Sequence, residues 1–331
     1  LKAGITQKDI KDTKNNIFFI VGTSRSGSTL LKSMLSMHSN MVVPPETHFF
    51  YFSRVIQNRY EKAHDKQAFS KKLIDFWYNH KTRIKDLGLP KKVVVDIASK
   101  LKLTNPYDLF TLLLTLYRKE RGAGIVGEKT PRHILYVREI LKTYPDAKII
   151  SLFRDPRAAA WSEIKAPFGS PSVIVTTRRW RKYVKEHEQL KKLLPENQYL
   201  MLRYSDLIAN TEGELQKICT FLGMNFEEAM LEYYNREEEG FAAREKSWKN
   251  GTLKPLQENR NEEWKSALTA WQITLVEHIA GDYLTRMGYE KSGCGLPFQK
   301  KLFYQCVDFS RSIWATLAKT RDEGYKNPSE I

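Results

Sequence analysis

Residues 22–31 read GTSRSGSTLL. Glycines at Gly22 and Gly27, followed by Ser28 and Thr29, have the spacing of a phosphate-cradling loop, in which a strand runs through a tight glycine turn into a helix. Such a corner offers free backbone N–H groups and the positive end of a helix dipole, and both attract phosphate. A triphosphate-binding loop carries a lysine where this chain has Ser28, and the cation comes three residues earlier as Arg25. That suits a ligand with less charge than a metal-bound triphosphate. A second stretch, FRDPRAAAWS, sets Ser162 eight positions after Arg154, so that an arginine at a strand end and a serine in the following helix could hold another phosphate. Two more stretches supply groups for proton and charge transfer. In VVPPETHFF, Glu46 follows a short apolar run and two prolines that fix its direction, and it reads either as a general base or as a helix cap or ion-pair partner. His48 is the rival base by its ordinary pKa, or a packed residue at a helix start. In GEKTP, Lys129 stands at a strand end, where ligands gather in parallel sheets, with Glu128 beside it as an orienting group or an acceptor contact.

The elements that must position these residues follow from periodicity. IFFIVG (Ile17 to Gly22) is a continuous apolar run closed by glycine, the signature of a buried parallel strand. The next segment places Leu30, Leu31, Met34, Leu35 and Met37 at helical spacing. NMVV, GIVGEK, AKIISLF and QYLMLRY read as further strands, each followed by a helical pattern. Alternating strands and helices imply a doubly wound α/β fold, and Arg25, Glu46, Lys129, Arg154 and Tyr204 all fall at the carboxyl ends of its strands. Residues 1–16 are polar and read as a loose N-terminal arm. Residues 49–122 are helical and charged, and read as an insertion or lid. Residues 291–331 read as a C-terminal helical extension.

The chain has 331 residues, 41% of them apolar, and 54 basic against 38 acidic residues, for a net charge of +16. That excess favours an anionic partner without choosing it. The three cysteines lack metal-ligand spacing; Cys219 lies in an apolar helical pattern, while Cys294 and Cys306 could pair or stay free. No signal peptide or membrane-spanning stretch is legible, which reads as a cytoplasmic protein, or a Golgi lumenal one if an anchor precedes Leu1.

With its two phosphate-binding stretches in this order, the chain resembles the sulfotransferases that use 3′-phosphoadenosine 5′-phosphosulfate (PAPS) and release PAP. The resemblance runs from about Ile17 to Tyr289. It implies a three-layer α/β fold like that of the P-loop NTPases, with a central parallel sheet, and a sulfotransferase domain over residues 17–290. In this family a basic residue and S/T-G-S/T-T-x-L bind the 5′-phosphosulfate, which points to Arg25, Ser26, Gly27, Ser28, Thr29 and Leu30; Arg154 and Ser162 would bind the 3′-phosphate, with Tyr204 near the nucleotide. Glu46 corresponds to the acidic position that deprotonates the acceptor, and Lys129 to a lysine that reaches substrate and phosphosulfate. A K-P pair in SWKNGTLKPLQENR points to Lys254 as a further phosphate ligand, and Trp248 could stack on adenine; the K-G-x-x-G form common elsewhere in the family is absent. No metal is implied. The acceptor, a hydroxyl or amine on an acidic glycan, a peptide or a small molecule, is not encoded in any motif, and the basic helix over Thr176–Lys192 could draw an acidic one in. A P-loop kinase or NTPase would need the missing lysine and a magnesium-binding carboxylate, and a nucleic-acid-binding protein is suggested by charge alone, without a recognition motif.

Overall fold

A computed structural model of the chain describes residues 4–79, 83–166, 169–235, 261–295 and 297–319. Five parallel strands make one sheet: β1 (Ile17–Gly22), β2 (Met41–Val42), β3 (Ile125–Lys129), β4 (Lys148–Phe153) and β5 (Tyr199–Arg203), in the order β2-β3-β1-β4-β5. β1 lies at the centre and every one of its residues is buried, which is why its sequence is apolar without alternation. Its side chains still divide by parity. Phe18 and Ile20 face one core with Leu31, Met34, Leu215 and Ile218, from α2 (Ser28–Leu35) and α11 (Thr211–Leu222). Phe19 and Val21 face a second, larger core. The sheet is thus sandwiched between helices on both faces, the three-layer α/β arrangement.

The larger core is built by α3 (Phe49–Lys62), α4 (Lys66–Asn79), α5 (Lys91–Lys100), α6 (Pro106–Glu120), α7 (Val137–Thr143) and α9 (Val173–Leu193). The helices α3–α6 make up the insertion expected over 49–122, and they share the sheet's own core. Phe49 stacks on Phe110 with ring centroids 4.0 Å apart, and Phe50 meets His133 edge-on at 5.3 Å. Fully burying such rings stabilises the fold by roughly 1.5–3 kcal/mol each, enough to fix where α3 starts and therefore where Glu46 and His48 lie.

The expected loose arm is instead a helix, α1 (Gln7–Asn15), closed at its start by a reciprocal Thr6–Asp9 capping box. Ion pairs Arg118–Asp12, Lys119–Asp9 (2.7 Å) and Lys14–Asp108 (2.7 Å) fasten it to α6, over buried Ile5, Ile10 and Thr13. Its polar composition hid a stripe one residue wide per turn.

After β4 come α8 (Pro156–Ile164) and α9, and after β5 come α10 (Tyr204–Ala209) and α11. The C-terminal part holds α12 (Trp264–Ala267), α13 (Ala270–Ala280), α14 (Asp282–Arg286) and α15 (Phe298–Lys319). The helix of the C-terminal extension is docked: Asp308 of α15 is fully buried and accepts from the backbone N–H groups of Val173 and Ile174, both at 3.1 Å, and from Ser172 Oγ, capping α9. Cys219 is buried as expected, and Cys294 and Cys306 are exposed and unbonded. Among the described residues no helix is long and apolar enough to cross a membrane.

Candidate active site

The phosphate-loop corner forms as its glycines predict. Gly22 has φ 132°, and a Cβ there would lie 2.1 Å from the Leu152 carbonyl oxygen, so only glycine lets β1 turn away from β4 at this point. Gly27, at φ 89°, caps α2, and the first α-helical bond runs from the Leu31 N–H to the Gly27 carbonyl at 3.0 Å. The N–H groups of Ser28, Thr29 and Leu30 precede that bond and have no partner within the helix, which is the arrangement that attracts an anion. Side chains divide differently from the sequence expectation. The Ser26 hydroxyl is buried and donates back to the Thr23 carbonyl at 2.6 Å, and Leu30 points into the core. Ser26 therefore braces the loop, Leu30 can contribute only main chain, and Ser28 and Thr29 remain the hydroxyl candidates.

Gly27 is also a point of close packing in the loop. A Cβ on it would approach Tyr204 Cδ2 to 2.3 Å, because the buried Tyr204 ring lies against the loop. Gly27→Ala combines that clash with a left-handed conformation costing about 1–2 kcal/mol for a non-glycine residue. It should lower the melting temperature and weaken nucleotide binding together, as read by thermal unfolding with and without PAP.

Arg154 follows β4 and lies over the Tyr204 ring, its guanidinium carbon 4.5 Å from the centroid, while its Nε donates to Asn261 Oδ1 at 3.3 Å. Burial is the main influence pulling its pKa down, and the Arg25 charge adds to it, so the two cations are near neighbours. The rest of FRDPR is architecture. Asp155 caps α8 by accepting from the Arg157 N–H at 2.8 Å, and its carboxylate pairs with the Arg157 guanidinium (Nε–Oδ1 3.0 Å, Nη2–Oδ2 2.6 Å). Arg157 reaches on to Glu277 of α13 at 2.6 Å.

The sequence assigns Arg25 and Ser162 to different phosphates, whereas the structure joins them: Arg25 Nε donates to Ser162 Oγ at 3.1 Å. Arg25 itself has φ 64°, a left-handed conformation uncommon for a side-chain-bearing residue. Burial lowers its pKa, opposed by the charges of Glu163 and Glu46. Glu46 and Arg25 thus share one electrostatic environment across the loop.

Glu46 is held on both oxygens. Lys129 Nζ donates to Oε1, and His48 Nε2 lies 3.0 Å from Oε2. Lys129 is fully buried, so its charge is paired inside the protein, while Glu46 and His48 are half-buried. His48 caps α3 in a left-handed conformation, φ 54°. It is therefore both the helix-start residue and a direct partner of Glu46.

Glu128 acts from inside the core. Successive strand residues face opposite sides, and its fully buried carboxylate turns away from Lys129. Its Oε1 accepts from Thr47 Oγ1 and Thr130 Oγ1, both at 2.7 Å, and its Oε2 lies 2.8 Å from His133 Nδ1. Burial pushes this carboxyl up, but the His133 charge and the hydrogen bonds outweigh it and hold it below the usual carboxylate range. Lys254 and Trp248 lie outside the described residues. Among the described residues no group of His, Cys, Asp and Glu could hold a metal ion.

The described residues therefore gather a helix N-terminus, two arginines, a buried lysine and a carboxylate at the carboxyl ends of β1, β2, β3 and β4. The profile of the sulfotransferase family matches residues 18–228 of the chain. The chain belongs to that family. Among relatives, it is 22% identical over 283 residues to the protein-tyrosine sulfotransferase of Drosophila melanogaster, covering 83% of this chain and 52% of that one. It is 25% identical over 200 residues to the omega-hydroxy-beta-dihydromenaquinone-9 sulfotransferase of Mycobacterium bovis, covering 55% of this chain and 45% of that one. The chain thus spans about half the length of these two relatives. Its fold is that of the sulfotransferase domain from the Synechococcus PCC 7002 olefin synthase, with a TM-score of 0.54 at 24% identity, over 81% of this chain and 95% of that domain. Membership of that family marks the chain as a sulfotransferase.

Proposed function

We propose that this sulfotransferase takes the sulfuryl group from PAPS and passes it to a hydroxyl of its acceptor, with Glu46 as general base. The observation that supports this best is the Glu46–Lys129 pair facing Arg25 at the mouth of the phosphate loop. The free N–H groups of α2 and the guanidinium of Arg25 would hold the 5′-phosphosulfate. Arg154, with Ser162 and the Tyr204 ring, would hold the 3′-phosphate end. In the reaction the acceptor oxygen forms its bond to sulfur while the bond from sulfur to the 5′-phosphate oxygen breaks. The acceptor proton passes to Glu46, and the electron pair leaves on PAP, where Arg25 and Lys129 offset the developing charge. Positioning and charge stabilisation of this kind need no covalent intermediate. The Arg25–Ser162 contact would loosen when phosphate arrives, freeing one donor for each end of the nucleotide.

Labelled PAPS offered with a panel of alcohols, phenols, amines, peptides and glycans tests the reaction, and stabilisation by ATP–Mg²⁺ but not by PAP would overturn it. Arg154→Ala should weaken PAP binding by about 10- to 100-fold, the loss of charge-assisted hydrogen bonds. Calorimetric titration with PAP reads this directly, and unchanged affinity would remove Arg154 from the nucleotide site.

A further inference from the structure

The charge of Arg25 is balanced by a carboxylate outside the Glu46 cluster. Ser162 and Glu163 are neighbours in α8. Ser162 accepts from Arg25 Nε at 3.1 Å. Burial pulls the Arg25 pKa down, and Glu163 is the first charge that opposes it, ahead of Glu46. Glu163 is itself buried, and its Oε1 accepts from Arg179 Nη2 of α9 at 2.7 Å. One buried carboxylate is thus felt by two guanidiniums, one from the phosphate loop and one from α9. The next residue fixes where Arg179 stands: the Trp180 indole is buried and donates to the Arg154 carbonyl at 2.9 Å. This turn of α9 is therefore fastened to the end of β4, beside the residues read as nucleotide ligands.

Buried carboxylates are seldom left unpaired, so an arginine on Glu163 would be expected for stability alone. The place of this carboxylate gives its pairing a second consequence. The charges of Arg25, Glu163 and Arg179 sum to one positive, so Arg25 keeps its charge for an incoming anion. Without Arg179 the same sum is zero. Glu163 would then draw on Arg25 alone, and would repel a phosphate arriving beside it. In a partly desolvated site a unit charge acts over several ångströms, so Arg179 need not touch the nucleotide to affect it. The two partners also differ in exposure: the Arg179 side chain is 35% exposed and that of Glu163 6%. Removing Arg179 thus leaves behind the member that water cannot easily hydrate.

We propose that Arg179 is a positioning residue for the nucleotide: by neutralising Glu163 it leaves the charge of Arg25 to the 5′-phosphosulfate. The proposal rests on the reading of Arg25 as the ligand of that end. Calorimetric titration of the full chain tests it with three probes: PAP, adenosine 5′-phosphate and adenosine 3′-phosphate. Arg179→Ala should weaken PAP and adenosine 5′-phosphate by about tenfold, a difference of roughly 1.4 kcal/mol, and adenosine 3′-phosphate by less. Arg179→Lys keeps the charge and should keep most of the affinity. The decisive variant is Arg179→Ala with Glu163→Gln, which removes both charges and should restore binding of the 5′-phosphate, with thermal unfolding of the unliganded variants as the check on folding. The proposal is overturned if Arg179→Ala binds all three probes as wild type does, or if it weakens the two monophosphates equally. It is overturned as well if the double variant stays as weak as Arg179→Ala, since Arg179 would then touch the phosphate itself or serve packing alone. Failure of the underlying reading looks different: Arg25→Ala would itself leave the affinity for adenosine 5′-phosphate unchanged.

Discussion

Glu46→Gln is expected to lower kcat by about 10²- to 10⁴-fold, the usual worth of a positioned general base, while PAP affinity is kept. The side chain keeps its shape, so the loop and its N–H groups are undisturbed. What is lost, on the mechanism proposed above, is the acceptor of the proton. A second loss accompanies it. Lys129 is fully buried and pairs with Glu46, so the neutral amide strands an ammonium inside the protein. Breaking a buried pair from one side costs about 3–5 kcal/mol, whereas removing both partners is often close to neutral. Glu46→Gln should therefore unfold at lower denaturant than wild type, and Glu46→Gln with Lys129→Met should recover stability but not turnover. Single-turnover rates together with chemical denaturation separate the two effects. If Glu46→Gln keeps wild-type kcat, the base is elsewhere, and His48, 3.0 Å from the same carboxylate, is the next residue to change.

This coupling also shows where sequence reasoning reaches and where it stops. The strand–loop–helix corner was legible because local rules produce it: an apolar run for a central strand, glycines where φ must be positive, and a helical period immediately after. FRDP was legible as a strand end followed by a helix start, since aspartate and proline are ordinary first-turn residues. The joining of Arg25 to Ser162 was not, because it depends on β1 and β4 pairing in a register that sets Gly22 opposite Leu152. Nothing in either segment states that register, and each residue taken alone reads as a phosphate ligand. The direction of Glu128 was legible in principle from strand alternation, but a charged residue fully buried on the core side runs against composition. Only its partners, Thr47, Thr130 and His133, explain it. α1 was missed for a related reason: its stability lies in ion pairs to α6, a helix about a hundred residues away, not in its own hydrophobicity.

Glu128 is the residue whose loss should most damage the fold around the site. Each member of the Glu46–Lys129 pair is followed directly in sequence by a threonine, and both hydroxyls converge on one oxygen of Glu128. The carboxylate thereby ties the segment carrying Glu46 to the strand end carrying Lys129, and acts as a positioning residue for both. Glu128→Ala leaves two buried hydroxyls and His133 Nδ1 without this acceptor and should cost about 3–5 kcal/mol in denaturant unfolding. Glu128→Gln keeps an oxygen for the two threonines and should restore most of that stability. It should also restore kcat, whereas in Glu128→Ala kcat falls and the KM for PAPS stays level, because the loops after β1 and β4 proposed to hold the nucleotide are untouched. A purely structural residue would lower the amount of folded enzyme without that split. The pH dependence follows from the same contacts. Because the folded protein holds the Glu128 carboxyl below its ordinary value of 4.5, its contribution is complete above that pH and is lost as the pH falls through the depressed folded value. The stability gap between wild type and Glu128→Gln should accordingly be constant near neutrality and narrow below pH 4.5. A gap that instead widened on acidification would mean that Glu128 is buried protonated, and that the threonines are held by the neutral acid.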